Sequence, residues 1–199
     1  MTLKQELPII NAQKQVAESR LFRIEQLDLT FSNGEQRQYE RMKGSGNGAV
    51  MIVPMLDAQT MLLVREYCAG THSYELGFPK GLIDPGEIAK QAANRELKEE
   101  IGYGAKQLTA VREVMMAPAF FNAKMTIFLA QDLYEESLKG DEPEPLEVVP
   151  WQLNNYQALL DNSHFNEARS IAALFLIKDH FEQQSPKNSM QSNDLRDQL

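Results

Sequence analysis

The sequence predicts an α+β protein in which strands and helices alternate around a mixed β-sheet. Short runs of β-branched and aromatic residues recur between Leu21 and Asp132, as expected for strands. Two segments, 85–101 and 166–177, instead place apolar residues at the spacing of an amphipathic helix. With 199 residues, 43% of them hydrophobic, the chain is long enough for one full core and a smaller appended unit.

The first predicted unit is β-rich and comprises residues 1–46. Two strands, Leu21–Phe31 and Gln36–Met42, flank Ser32-Asn33-Gly34, which is a hairpin signal. A two-stranded hairpin is only marginally stable alone in water. We therefore expect this unit to pack against another surface, which a second subunit could supply. The glycine-rich stretch 43–48 is the predicted boundary.

The second predicted domain comprises residues 47–182. Its predicted strands are 49–55, 60–67, 108–116 and 126–132, followed by the helix 166–177. Segment 183–199 is polar, contains a proline and lacks periodicity, and we expect it to be a disordered tail.

The helix of segment 85–101 has recognisable start and stop signals. Asp84 is the predicted N-cap, Pro85 stands at the first helical position, and Glu87 completes a capping box. Gly102 suits a left-handed cap at the other end. Apolar residues at every fourth position form a stripe that is expected to dock the helix on the core. These residues are Ala89, Ala93, Leu97 and Ile101.

Three glutamates crowd one face near the end of this helix. At about 100° per residue, Glu96, Glu99 and Glu100 fall within an arc of roughly 100°. Like charges at this spacing repel, and they oppose the helix dipole. A divalent cation would remove both penalties, and oxygen ligands favour Mg²⁺ or Mn²⁺ over zinc. The alternative is a solvated acidic face.

The charge balance and the cysteine content exclude several classes of function. The net charge is −8, which argues against a nucleic-acid partner, because duplex binding needs clustered lysine and arginine. The lone Cys68 excludes an intramolecular disulfide and fits a reducing cytoplasm. We find neither an apolar segment of signal-peptide length nor a run of about 18 apolar residues. We therefore expect a cytoplasmic protein that does not contact membranes.

Residues 81–103 read G-L-I-D-P-G-E-I-A-K-Q-A-A-N-R-E-L-K-E-E-I-G-Y. They match the pattern G-x5-E-x7-R-E-U-x-E-E-x-G-U, where U is bulky and apolar, except that Tyr103 occupies the last position. The chain thus resembles the Nudix hydrolases. The resemblance implies a Nudix α/β/α sandwich with a mixed sheet, cleavage of nucleoside diphosphates linked to another group, and Mg²⁺ or Mn²⁺ as the cofactor.

The predicted metal ligands are Glu96 and Glu100, one turn apart, with Glu99 sharing a metal or a bridging water. The small side chains of the helix would let the loop at Gly81 approach closely, so that its carbonyl could join the metal. The resemblance assigns Arg95 to the orientation of the glutamates, as groups behind metal ligands commonly do.

A catalytic base is predicted in the proline-bearing loop 140–145. Glu142 and Glu144 could swing over the site and activate water. Alignment with ADP-ribose pyrophosphatases favours Glu144. The alternative is a solvated acidic turn.

Cationic and aromatic side chains outside the helix are candidates for substrate contacts. Arg65, Arg41 and Lys80 could contact the phosphates, and Phe22 or Tyr39 could stack on adenine. The alternatives are that a strand arginine is simply on the surface and that Phe22 belongs to the core.

Further segments resemble the ADP-ribose pyrophosphatase branch. Pro118 lies 15 residues beyond Tyr103, as in that branch, and segments 74–87, 140–145 and 166–169 resemble bacterial hydrolases of ADP compounds. The resemblance implies ADP-ribose, diadenosine polyphosphates and NADH as substrates, and a homodimer built by the N-terminal sheet.

One departure from the usual pattern lies before the Gly81 loop. Gly77 and Phe78 are inserted there, and we expect them to alter the pocket wall and broaden the preference. The alternatives are a GDP-mannose or other nucleotide-sugar pyrophosphatase, and a non-catalytic nucleotide-sensing Nudix domain. The retained glutamates argue against the second.

Overall fold

The computed structural model describes residues 6–44 and 46–184. Its strands are β1 (Ile9–Glu18), β2 (Arg23–Thr30), β3 (Gln36–Met42), β4 (Ala49–Pro54), β5 (Thr60–Cys68), β6 (Ser73–Gly77), β7 (Lys80–Leu82), β8 (Tyr103–Ala117), β9 (Phe121–Glu135) and β10 (Glu147–Gln152). Its helices are α1 (Ala89–Glu100), α2 (Tyr156–Leu160) and α3 (Ala168–Gln184).

The strands form two sheets. The larger has the order β1-β2-β3-β9-β4-β7, with β8 also paired to β9, and the smaller has the order β10-β5-β6. Strand β4 runs parallel to β9 and antiparallel to β7, so the larger sheet is mixed. This confirms the predicted α+β class with a mixed sheet.

Helices α1 and α3 pack on opposite faces of the strands. Because side chains alternate along a strand, Met51 and Val53 of β4 join the apolar cluster that contains α3, including Ile177. Val50 and Ile52 point the other way, into the cluster that contains Leu97 of α1. The two helices therefore enclose the strands between them, as in the expected α/β/α sandwich.

The N-terminal unit contains one strand more than predicted. Strand β1 pairs antiparallel with β2, and all ten of its residues are exposed. The alternation of apolar and polar residues that marks a half-buried strand is therefore missing from it. A short parallel pairing at Met42 and Phe121 joins this unit to the larger sheet.

The start of α1 differs from the prediction. The helix begins at Ala89 rather than at Pro85, because Gly86 adopts φ 86, which an α-helix cannot accommodate. The capping contact still forms, but it closes a turn: the backbone N–H of Asp84 donates to Glu87 Oε2 at 3.2 Å. At the other end, Gly102 has φ 75, as predicted for a left-handed cap.

The end of α3 also differs from the prediction. Gln183 and Gln184, expected in a disordered tail, are its last residues, and the rest of that predicted tail lies outside the described residues. None of the helices in the described part of the chain is long and apolar enough to cross a bilayer.

Candidate active site

Strand β7 lies directly against the acidic face of α1. A Cβ atom added at Gly81 would lie 2.0 Å from Glu96 Oε1, far inside contact distance. Any larger residue would therefore displace the Glu96 carboxylate. Ala92 and Ala93 of the same helix are fully buried in the apolar cluster that contains Val50 and Ile52 of β4. The Glu96 carboxylate and the Gly81 backbone are therefore held in contact.

Arg95 donates hydrogen bonds to three carboxylates and lies 3.9 Å from a fourth, that of Asp84. Its Nη1 donates to Glu96 Oε1 at 2.7 Å and to Glu99 Oε2 at 2.9 Å. Its Nε donates to Glu87 Oε1 at 3.2 Å, and Nη2 donates to the carbonyl of Leu82 at 2.9 Å. One planar guanidinium thus fixes the side of α1 that faces the loop.

Glu100 is the most weakly hydrogen-bonded of the three acidic residues at the end of α1. Its Oε2 is buried without a hydrogen-bond partner, and its Oε1 receives only a long 3.4 Å contact from the backbone N–H of Lys80. Burial raises the pKa of Glu100 to about 8, although the Lys80 charge opposes this. Burial likewise raises the pKa of Glu96. A buried, unpaired carboxylate oxygen is costly.

These residues fit a hard dication. The donor set consists of carboxylate oxygens and backbone, the ligands that Mg²⁺ and Mn²⁺ prefer, and a bound cation would satisfy the free oxygen of Glu100. Within the described residues, no three acidic, histidine or cysteine side chains already converge as a metal cluster. Glu96 and Glu99 each direct one oxygen to Arg95 instead.

The loop between β9 and β10 crosses the end of α1. The backbone N–H of Leu138 donates to the carbonyl of Lys98 at 3.0 Å, and Gly140 lies against Glu99. Glu142 follows two residues later, and burial, with help from the charges nearby, raises its pKa. The loop thus runs from the end of α1 to Tyr67 of β5 and Tyr74 of β6, and Glu142 and Glu144 lie beside these tyrosines.

The loop also closes one side of a cleft of about 300 Å³. Tyr74 donates its hydroxyl to Glu144 Oε1 at 2.5 Å, and Arg65 donates to Glu147 Oε2 at 2.8 Å. The cleft is lined by Arg65, Tyr67, Tyr74 and residues 142–147. Glu144 therefore has a defined hydrogen-bond partner in Tyr74, and both Glu142 and Glu144 are exposed to solvent.

The other predicted phosphate ligands are already paired. Lys80 forms an ion pair with Glu66, and only 18% of its side chain is exposed. Burial lowers the pKa of Lys80, but the nearby carboxylates, above all Glu66, raise it by more, and the net shift is upward. In the N-terminal unit, Arg41 contacts the buried Glu25 at 3.1 Å.

The two candidates for adenine stacking lie on the same unit. Phe22 is 49% exposed and Tyr39 is 48% exposed, so the alternative that Phe22 belongs to the core is wrong. Among the described residues, no hydrogen bond or ion pair links either of them, or Arg41, to the glutamates of α1.

The inserted residues before the Gly81 loop do not form the cleft wall, contrary to our expectation. Phe78 is fully buried, with its ring 6.1 Å from that of Phe165. Gly77 lies against Ser170 of α3. Tyr67 and Tyr74 line the cleft instead. Their shared position was not apparent from sequence, because it depends on the pairing of β5 with β6.

Comparison with known proteins agrees with this fold. Residues 47–175 match the model of the NUDIX domain, and residues 8–41 match the NudE-type Nudix hydrolase N-terminal domain. The chain therefore belongs to the Nudix family and is a Nudix hydrolase.

Among its relatives, the chain is similar to ADP compounds hydrolase NudE of Escherichia coli (strain K12), with 55% identity over 179 residues, 90% of this chain and 96% of that protein. A crystal structure of ADP compounds hydrolase superposes with a TM-score of 0.86 at 54% identity, covering 92% of this chain and 98% of that one. ADP-ribose pyrophosphatase of Bacillus subtilis (strain 168) is 27% identical over 165 residues, 82% of this chain and 88% of that protein.

Proposed function

We propose that the protein hydrolyses the pyrophosphate linkage of ADP-containing compounds, among them ADP-ribose, diadenosine polyphosphates and NADH, and releases AMP. The observation that carries the proposal is the buried, unpaired oxygen of Glu100 beside Glu96 and the Gly81 backbone. This arrangement is costly without a cation and stable with one. The similarity to a hydrolase of ADP compounds supports the substrate class.

Mg²⁺ or Mn²⁺ is the proposed cofactor, held by Glu96, Glu100, Glu99 and the Gly81 carbonyl. When bound, the cation neutralises the negative charge of the diphosphate. Arg95 holds Glu96 and Glu99 in place by direct hydrogen bonds, so that the ligands do not have to be ordered when the substrate arrives. We place Arg95 in a positioning role.

The loop glutamates are the proposed source of the general base. Glu144 is favoured by alignment, but it is hydrogen-bonded to Tyr74. Glu142 lies two residues from Gly140, which contacts Glu99, and burial raises the pKa of its carboxyl. A carboxylate with a raised pKa is a better proton acceptor near neutral pH. On the alignment, Glu144 remains the first candidate for the group that deprotonates water, and Glu142 is the second.

The N-terminal unit is proposed to complete the site in a homodimer. Strand β1 is an edge strand with both faces exposed, and it displays Ile9, Ile10 and Val16 to solvent. Such an edge is a template for association unless it is covered. A second subunit would cover it and could bring Arg41, Phe22 and Tyr39 to the substrate.

We further propose that residues 1–46 form this unit, that residues 47–182 form the hydrolase domain, and that the protein works in the cytoplasm. Arg65, which lines the cleft, and Lys80, whose backbone N–H contacts Glu100, are proposed to contact phosphate after exchange of their present carboxylate partners.

Substrate and bond specificity can be measured together. Purified protein with Mg²⁺ is given ADP-ribose, diadenosine diphosphate, diadenosine triphosphate, NADH or GDP-mannose in ¹⁸O-labelled water. We expect AMP carrying the label on its phosphate from the adenine compounds. Preferential turnover of GDP-mannose would contradict the proposed substrate class. Nucleotide binding without any turnover would favour a sensing role.

The same assay separates the roles of the acids. Glu144→Gln is expected to lower kcat about 10²- to 10⁴-fold with Mn²⁺ affinity retained, and Glu142→Gln is the matched comparison with a smaller loss. Glu100→Gln should lose both turnover and metal binding. Equal loss of metal binding in all three variants would contradict this division of roles.

A further inference from the structure

The loop that lines the cleft also packs against the last turn of α1. Gly140 contacts Glu99, and Glu142, which lines the cleft, follows two residues later. Since an extended chain advances about 3.5 Å per residue, the Cα atoms of Gly140 and Glu142 are at most about 7 Å apart. A diphosphate bound at the carboxylates therefore has the cleft within reach of one of its two substituents.

One wall of the cleft is a pair of tyrosines. Tyr67 and Tyr74 face each other across β5 and β6, with ring centroids 5.8 Å apart and an interplanar angle of 65°. They are 45% and 49% exposed. Large aromatic side chains left this open beside a site are typical of surfaces that bind a ligand.

Both hydroxyls are tethered, so the rings are held in place before a ligand arrives. Tyr67 is hydrogen-bonded to His72 Nδ1 at 2.8 Å, and Tyr74 donates to Glu144. The ring of His72 also meets that of Tyr67 edge to face at 5.8 Å. Because little conformational freedom remains to be lost, stacking on these rings costs less entropy than stacking on mobile side chains.

Apart from Arg65, which is proposed to contact phosphate, the charged side chains that line the cleft are carboxylates. The only cation among its lining residues, Arg65, is paired with Glu147, whereas Glu142 and Glu144 add two further carboxylates. Negative potential repels a phosphate group, but it accepts the exocyclic amino group of a nucleobase as a hydrogen-bond donor. The chemistry of the cleft thus matches an aromatic ring that carries an amino or amide nitrogen.

We infer that the wall formed by Tyr67 and Tyr74 stacks the nucleobase, or the nicotinamide, at the far end of a dinucleotide substrate. The inference rests on the proposed function and adds a determinant of specificity to it. ADP-ribose has no second base and does not use the wall. Dinucleotides gain a contact there, and so the wall discriminates between two kinds of ADP compound.

The test compares two substrates on the same variants. Tyr67→Ala removes the ring, whereas Tyr67→Phe keeps the ring and loses only the hydroxyl. Because stacking of a base on an aromatic ring commonly changes affinity about tenfold or more, Tyr67→Ala is expected to lower kcat/KM for diadenosine triphosphate about tenfold. Its kcat/KM for ADP-ribose should change less than about twofold. Tyr67→Phe loses the hydrogen bond to His72, so it should lose less than Tyr67→Ala with diadenosine triphosphate and resemble the wild type with ADP-ribose.

Turnover of ADP-ribose also reports that the variant is folded. Equal losses for both substrates, or no loss for either, would overturn the inference. Calorimetric binding of diadenosine triphosphate and ADP-ribose to the same variants, without turnover, gives a second readout. If the wild type hydrolyses neither compound but Tyr67→Ala selectively weakens dinucleotide binding, the proposed function is wrong and the inferred stacking site is supported. If Tyr67→Ala leaves binding of both compounds unchanged, the inferred stacking site is wrong.

Discussion

Glu100→Gln is expected to stabilise the metal-free protein at neutral pH. Burial raises the pKa of Glu100 from 4.5 to about 8, so the native state binds more protons than the unfolded chain. Stability is therefore highest below about pH 4.5 and falls as pH rises, until the carboxyl is ionised in both states above about pH 8. At about 1.4 kcal/mol per pKa unit, keeping this carboxyl protonated in the folded state at pH 7 costs about 3 kcal/mol relative to acid pH.

Glutamine cannot ionise, so the variant avoids this cost. Its amide nitrogen, however, occupies the buried position where Oε2 has no partner, which costs about 1–2 kcal/mol. The difference is a net stabilisation of about 1–2 kcal/mol at pH 7 that vanishes by about pH 5. Added Mg²⁺ should reverse the order, since a ligand of the native state stabilises only the protein that binds it.

The measurement is urea unfolding followed by circular dichroism, in EDTA and in excess MgCl₂, from about pH 5 to about pH 8. Glu113→Gln is a matched control, because that glutamate lies on the surface with 56% of its side chain exposed and should change stability by less than about 0.5 kcal/mol. If the wild type and Glu100→Gln were equally stable in EDTA throughout this pH range, the reasoning would be refuted.

Three further outcomes are expected. Gly81→Ala should lower kcat about 100-fold and weaken Mn²⁺ binding, because the new Cβ would displace the Glu96 carboxylate. Electron spin-resonance titration measures the Mn²⁺ affinity, and unchanged rates would contradict this prediction. Arg95→Lys should weaken metal affinity about 10- to 100-fold and lower thermal stability, since its contacts to Glu87 are lost. Val16→Lys should yield a folded monomer in analytical ultracentrifugation, because it charges the exposed edge strand; an unchanged dimer would exclude β1 from the interface.

The chemistry of α1 could be read from sequence because it is local. The shared face of Glu96 and Glu100 follows from the helical period alone. The alanines of the helix predicted that the loop at Gly81 could approach it closely. The helix start was wrong for an equally local reason. Gly86 takes a left-handed conformation, and the capping contact of Asp84 and Glu87 therefore closes a turn.

The cleft could not be read in the same way. Tyr74 and Glu144 lie 70 residues apart in sequence and meet only because β6, β5 and β10 form one sheet. Likewise, Phe78 stands out in the sequence as an insertion, but only the packing of Phe165 and α3 decides that it turns inward. Strand β1 lacks apolar periodicity because neither of its faces is buried within one chain.

The central claim, that dications bind against the acidic face of α1, is tested most directly by anomalous diffraction from crystals grown with Mn²⁺ and a non-hydrolysable ADP-ribose analogue. We expect manganese peaks at direct coordination distance, about 2 Å, from carboxylate oxygens of Glu96 and Glu100, with the diphosphate bridged to the metal. Ordered analogue in crystals whose Glu96 and Glu100 carry no manganese would contradict the claim.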